Sequence, residues 1–369
     1  RPTHGSCRIL AWPAAVAACA CLGAAPAGAQ TLERFTADSV VSLDEFGGEN
    51  ASHRPQVVID ISAAVRLGDN WQLFLRPWFR QARPSTPTAA VPKWDTEIYQ
   101  AGARYERAGA ISTRVDLGYL VSPVGLGLFD ARANLNPTIV PHLGYVVPMP
   151  VFDPAVPREM PIASTYPFGA ELTASTMRWD ARAAVVNSAP TRVFAAGNDV
   201  NPKATPVVEG GAGVTPVVGL RLGVSFAHGQ YATGSELTRP AADGRTMTMI
   251  GGEGEYAFRY TKLAAEFVTT AFATSADTAR AYEWFVQGTQ TLSPRWFVAA
   301  RREGVSAPPL ATGIVAGARS IFGVFEATAG FRLNPEITLR SSYYSRRSYT
   351  SSTWDNQVGV SIVWARRWR

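Results

Sequence analysis

The residues best suited to acid–base or metal chemistry are few and scattered. Four histidines occur: His4 in the opening segment, His53 and His142 in loops, and His228 at the end of a strand. No HExxH, CxxC, GxSxG or Walker-type spacing is present, and those are the patterns that bring ligands, nucleophiles or phosphate cradles together. A lone loop histidine is ordinarily polar surface. Gly251-Gly252-Glu253-Gly254 reads as a strand leaving room beside a bulky neighbour, not as a phosphate loop. The expectation is a chain that is not an enzyme and carries no metal and no cofactor.

What the sequence supplies instead is charge at regular spacing. Arg66, Arg76, Arg80, Arg104, Arg114, Arg182, Arg221, Arg301, Arg332 and Arg340 fall on the polar side of period-2 segments. Asp60, Glu106, Asp116, Glu171, Glu253, Glu266, Glu283 and Glu326 fall on the same side. Charges ringing an aqueous path set ion selectivity through the local potential. The two series nearly balance, which predicts at most a weak anion preference. About half of them are expected to pair across strands and only stiffen the wall.

Elements that present such rings must be strands. Val57, Ile59, Ile61, Ala63, Val65 and Leu67 alternate with Val58, Asp60, Ser62, Ala64 and Arg66. After the turn Gly68-Asp69-Asn70, Trp71, Leu73, Leu75, Pro77 and Phe79 alternate with Gln72, Arg76 and Arg80. One face is oily and one wet. The unit recurs over 95–106 and 111–121, 168–177 and 181–188, 207–214 and 218–230, 246–258 and 261–272, 280–292 and 295–303, and 319–333 and 336–349. A strand near 36–46 and another at 355–368 bring the number to sixteen. Short links, such as Ser293-Pro294, Asn334-Pro335 and 215–217 around Thr215-Pro216, alternate with long ones. The fold class expected is all-β: a transmembrane antiparallel barrel with short periplasmic turns and long extracellular loops. An open sheet edge in lipid leaves unpaired backbone groups at several kcal/mol each, so the sheet closes. At this strand number a water-filled lumen is expected.

Composition agrees. Charged residues are 17 % of the 369 residues, below the roughly 25 % of an average soluble domain. All three cysteines (Cys7, Cys19, Cys21) lie in the first 21 residues, so a chain beginning at Gln30 has no thiol and no Cys-based metal site. Residues 1–29 read as a signal peptide: basic Arg1 and Arg8, an apolar stretch from Ile9 to Pro26, and Ala27-Gly28-Ala29 before the cut. Val16-Ala17-Ala18-Cys19 is a competing lipoprotein box. Residues 30–369 form the barrel, and they contain no apolar run of about 18 residues that would span as a helix. Removing two arginines leaves 33 − 29 = +4, with only three lysines (Lys93, Lys203, Lys262) and no basic stripe, so no nucleic-acid partner is expected.

Aromatics sit where interfaces belong. Trp71, Trp179, Tyr260, Trp296 and Trp368 lie within about two residues of short turns or the C-terminus, and Tyr166, Tyr282, Trp284, Tyr343 and Trp354 near loop ends. Val358, Val360, Ile362, Trp364 and Trp368 share one face of the last strand, as in terminal outer-membrane signatures, with Arg366 and Arg369 as departures.

The third long link, 122–166, is rich in proline and holds Asp130, Arg132, Asp153, Arg158 and Glu159. A link of that length without strands is usually functional. Its placement resembles the third loop of general porins, which implies that it folds inward and narrows the pore. The block Leu120-Val121-Ser122-Pro123-Val124-Gly125-Leu126-Gly127-Leu128-Phe129-Asp130, with Tyr166-Pro167-Phe168-Gly169, resembles the phosphate-selective porin O/P family. That family's lysine cluster is absent here. The resemblance implies a passive channel for small hydrophilic solutes, seated in outer-membrane lipid as a homotrimer. Arg76, Arg80, Arg104, Arg114, Asp130, Arg132, Arg158 and Glu159 are the expected pore-lining or constriction residues. The rivals are a non-conducting barrel acting as a binding or adhesion module, a transporter of hydrophobic substrates, and a soluble exported β-protein.

Overall fold

A computed structural model describes residues 34–48, 56–82, 93–126, 132–146, 148–149, 152–156, 160–161, 167–191, 206–275, 277–308, 320–349 and 353–368. The proposed signal segment lies outside them. Sixteen strands are found, in chain order β1 (Phe35–Gly48), β2 (Gln56–Arg66), β3 (Trp71–Ala82), β4 (Lys93–Arg107), β5 (Ser112–Tyr119), β6 (Phe168–Ser175), β7 (Trp179–Val186) and β8 (Val207–Val217). They continue as β9 (Leu220–Ala232), β10 (Arg245–Phe258), β11 (Thr261–Ala273), β12 (Thr278–Thr291), β13 (Trp296–Ala307), β14 (Ser320–Arg332), β15 (Ile337–Arg347) and β16 (Asp355–Trp368). Each pairs antiparallel with the next, and β1 closes the barrel on β16, from Ala37 opposite Trp368 to Gly48 opposite Gln357. No edge is left for lipid to meet.

The alternation holds on the outside as expected. On β9, Leu222, Val224 and Phe226 are 48 %, 60 % and 42 % exposed, while Ser225 and Ala227 beside them are 3 % and 0 %. Trp71, Trp179, Tyr260, Trp296 and Trp368 ring the short-turn end as exposed aromatics, and Trp284 and Tyr343 are exposed toward the other end. This outer face fits a bilayer and not water, and with the closed barrel it places the chain in the bacterial outer membrane.

Two features differ from the sequence expectation. The turn expected at Thr215-Pro216 lies three residues later, at Val218-Gly219. β8 continues to Val217, and Pro216 sits where the ladder shifts register between Val214 and Val217, so its missing N–H costs no pairing. Gly219 makes the turn at φ +89°, and a Cβ there would strike the Ala257 carbonyl. The second difference is in the lumen, expected to be wet throughout. Toward the long-loop end, inward-facing Met247, Met249, Phe272, Val305 and Val324 form one buried apolar cluster with Leu143, Met149 and Phe152 of the third link. Within that link lie a one-turn helix, α1 (Leu143–Val146), and a two-residue pairing of Pro148–Met149 with Met160–Pro161.

Candidate functional site in the lumen

Inward positions of β2 to β10 carry charges that meet each other across the wall. Asp60 on β2 accepts from Arg76 on β3, 2.6 Å away. Arg76 in turn lies over the Tyr99 ring, at 4.2 Å. Arg104 donates to both oxygens of Asp116, at 2.7 and 3.0 Å, with its guanidinium 5.2 Å from the Phe74 ring. Arg114 stands 3.3 Å from Asp116 and 3.9 Å from Glu171. Further round, Arg221 joins Asp180 at 2.8 Å to Glu253 at 2.6 Å, and Arg182 reaches the same Glu253 at 3.2 Å. Alternation places every one of these groups but Asp180 on the lumen side. The sequence pattern puts Asp180 in a turn, but β7 begins at Trp179, so Asp180 faces inward from the strand.

The wall from β11 to β16 behaves differently, because its charges meet the backbone of the third link. Glu326 accepts from the Ile139 N–H at 2.8 Å and from the Val140 N–H at 3.3 Å. Glu303 accepts from the Leu143 N–H at 3.0 Å, and Glu266 from the Leu126 N–H. Gly144 donates to Glu283, whose carboxylate occupies the space a Cβ at residue 144 would need. Arg301 donates to the Val140 carbonyl at 2.5 Å while pairing with Glu303 at 2.9 Å and Glu326 at 3.3 Å. Arg340 donates to the carbonyls of Ala133, Asn136 and Thr138, at 3.1, 2.9 and 2.7 Å, and to Ser361 at 2.9 Å. These carboxylates and guanidiniums satisfy backbone groups that a buried loop would otherwise leave unpaired.

Arg132 is the one predicted site residue of the link that falls among the described residues. It bridges the two regions: its Nε is 3.3 Å from Asp60 and its Nη2 donates to Ser62 at 3.1 Å. Arg80 stacks on Trp78, 4.8 Å from its centroid. Asp130, Arg158 and Glu159 lie outside the described residues, as does His53. The structure thus brings Arg76 and Arg132 together on Asp60, and Arg104 and Arg114 together on Asp116, as two separate groups.

Sequence reasoning misses Glu303 and Glu209. Glu303 shares parity with Arg301, which the pattern turns inward, so the signal is present. Glu209 accepts from Ser122 at 2.7 Å, 87 residues away, and no local pattern announces such a partner. His142, expected at the loop surface, is buried, with Nδ1 3.4 Å from Glu303 and its ring 4.2 Å from that of Phe285. His228 sits inside β9 facing outward, its Nδ1 2.9 Å from the Thr248 hydroxyl. Among the described residues no group of three or more His, Cys, Asp or Glu is arranged to hold a metal. Beneath residues 133–137, toward the short-turn end, a lumen cavity of about 210 Å³ is lined by Lys262, Gln287, Arg332 and Arg340, with Phe297 and Val363.

Neither a family model nor a curated protein matches the sequence. Solved structures do match by shape. The anion-selective porin from Comamonas acidovorans superposes with a TM-score of 0.57 at 11 % identity, covering 90 % of this chain and 99 % of that one. OmpF of Salmonella typhi, in complex with daunomycin, gives 0.57 and 11 %, covering 90 % and 97 %. OmpT of Vibrio cholerae, described as an outer membrane protein in a trimer form, gives 0.56 at 9 %, covering 90 % and 99 %. At such identity the likeness shows a porin-like outer-membrane barrel fold and nothing finer. It also overturns one expectation. The sequence points away from an enzyme, yet four of the similar structures are OmpT barrels that carry no porin designation. The fold therefore gives no ground for ruling enzymatic activity out.

Proposed function

We propose that the chain is a passive channel for small hydrophilic solutes, with at most a weak anion preference, narrowed by the inward third link. The observation that carries the reading is the strip of charge along β2 to β10, where Asp60, Arg76 and Arg132 meet beside a link whose backbone is fastened to the opposite wall. Pinning a loop inside a barrel narrows the path and leaves one charged side to set the local potential. Arg76, Arg80, Arg104 and Arg114 line that path from the wall, and Arg132 from the link. Asp130, Arg158 and Glu159 belong to the same proposal as link residues at the constriction. A homotrimer belongs to it too, supported by the neighbour described as a trimer form. So does removal of residues 1–29, which the mass of the mature chain would test. The resemblance to the phosphate-selective family bears on the permeant ion alone, and comparing phosphate with chloride permeability tests it.

Conductance of the folded chain across a planar bilayer is the test of the reading. Ion-conducting steps should appear, and Arg114→Glu combined with Arg132→Glu should shift the reversal potential toward cations. Folded protein that never conducts would remove the proposal. A second reading is favoured by one observation, the apolar cluster of Met149, Phe152, Met247, Met249 and Phe272 inside the long-loop half of the lumen. It describes a barrel that carries hydrophobic substrates, or one closed by its loop and used as a binding module. Silence in the bilayer together with binding of apolar solutes would support it.

A further inference from the structure

The lipid-facing side of β13 to β16 carries a feature that a channel does not need. Arg302 is exposed on the outer face, between inward Arg301 and Glu303. Its guanidinium lies 4.5 Å from the centre of the Trp354 ring, and that of Arg347 lies 5.4 Å from the same ring. The ring rests against Gly323, 3.2 Å from where a Cβ would stand, and Gly323 is the register partner of both Gly304 and Arg347. Two cations thus flank one indole over a glycine-lined patch of wall, where the Trp284 indole covers Gly304 and the Trp354 indole covers Gly323. No carboxylate pairs with either arginine among the described residues; the nearby Asp355 is taken by Arg346, at 3.2 Å. Glu303, next in sequence to Arg302, faces the lumen and pairs with Arg301.

Depth makes the arrangement informative. Arg302 stands six residues up β13 from Trp296, one of the exposed aromatics at the short-turn rim. At about 3.4 Å per residue and a tilt near 40°, that is roughly 16 Å, and Arg347 is higher still on a band about 25 Å tall. The pair therefore lies in the upper part of the band and at its long-loop border, where lipid headgroups begin. Cations on the lipid face grow costlier with depth unless an anion comes with them. The indole supplies a partial counter-field by cation–π attraction but accepts no charge-assisted hydrogen bond. A phosphate would complete the set.

We propose that Arg302, Arg347 and Trp354 form a binding site on the outer wall for the phosphate headgroup of a membrane lipid in the long-loop leaflet. The guanidiniums hold the phosphate oxygens, as planar forks do, while the acyl chains start beside Val286 and Phe325, the register partners of Arg302, and run down past Tyr343. The site is separate from the lumen and holds whether or not the barrel conducts.

Equilibrium binding of labelled bisphosphorylated lipid A to the folded barrel in nonionic detergent tests it, with folding checked by heat-modifiable gel mobility. Arg302→Gln with Arg347→Gln should weaken binding about tenfold or more, because each charge-assisted hydrogen bond to the phosphate is worth several-fold in affinity. Arg302→Gln alone should weaken it less, and serves if the double variant does not fold. Arg178→Gln, in the turn between β6 and β7, should leave it unchanged. Dephosphorylated lipid should bind the unaltered barrel no better than the intact lipid binds the double variant, and millimolar inorganic phosphate should not displace the intact lipid. Equal binding by parent and arginine variants, equal binding of the dephosphorylated lipid, or displacement by inorganic phosphate would each overturn the proposal.

Discussion

Along β2 to β10 most lumen charges meet other side chains, and along β11 to β16 they meet the backbone of the third link. The first wall pairs side chain with side chain, as Arg104 does with Asp116 and Arg221 with Glu253. Its cations stay partly open to the lumen: Arg114 is 39 % exposed and Arg104 22 %. The second wall is sealed. Arg301 and Glu326 are 0 % exposed, and each satisfies backbone atoms of residues 139–140. The difference teaches that similar residues serve two ends. Buried charge held by fixed backbone partners positions a loop, whereas partly solvated charge paired with opposite side-chain charge leaves a potential for a passing solute to feel.

Removing a cation from the sealed wall should have the largest effect. Arg301→Ala leaves Glu303 and Glu326 buried with no guanidinium between them, so urea unfolding in detergent should lose about 3–5 kcal/mol, or the barrel should fail to fold. A loss below about 1 kcal/mol, the size expected of a solvated pair, would erase the contrast between the walls. Asp60→Asn comes next. Arg76 and Arg132 are 14 % and 15 % exposed, so losing the carboxylate they share should cost about 1–2 kcal/mol and move the reversal potential toward anions. An unmoved potential would take this cluster out of the solute path. Arg114→Gln should cost least, under about 1 kcal/mol, because its pairs are solvated, yet it should still move ion selectivity toward cations.

Much of this is legible in the sequence, for a physical reason. A strand shows its two faces at every second residue, so parity alone assigns Asp60, Arg76, Arg104, Asp116, Arg221, Glu253 and Arg340 to the lumen and Leu222, Val224 and Phe226 to lipid. Parity says nothing about what an inward residue meets. The partners of Glu326 and Arg340 lie 187 and 202 residues away, in a link with no periodicity of its own. For the same reason Met247 and Met249 share a face with Glu253, and only the arrival of Leu143 and Phe152 above them makes one end of that face oily and the other wet. The fastened loop therefore had to be seen, while the barrel could be read.

A chain beginning at Gln30 has no cysteine, which allows single thiols to report which wall a solute passes. Arg76→Cys and Leu143→Cys, each treated with a charged thiol reagent while the bilayer current is followed, compare the open wall with the sealed one. The current through Arg76→Cys should fall on modification, and that through Leu143→Cys, at a position 1 % exposed, should not change. Block at residue 143 with no effect at residue 76 would place the path on the other side of the loop and contradict the account.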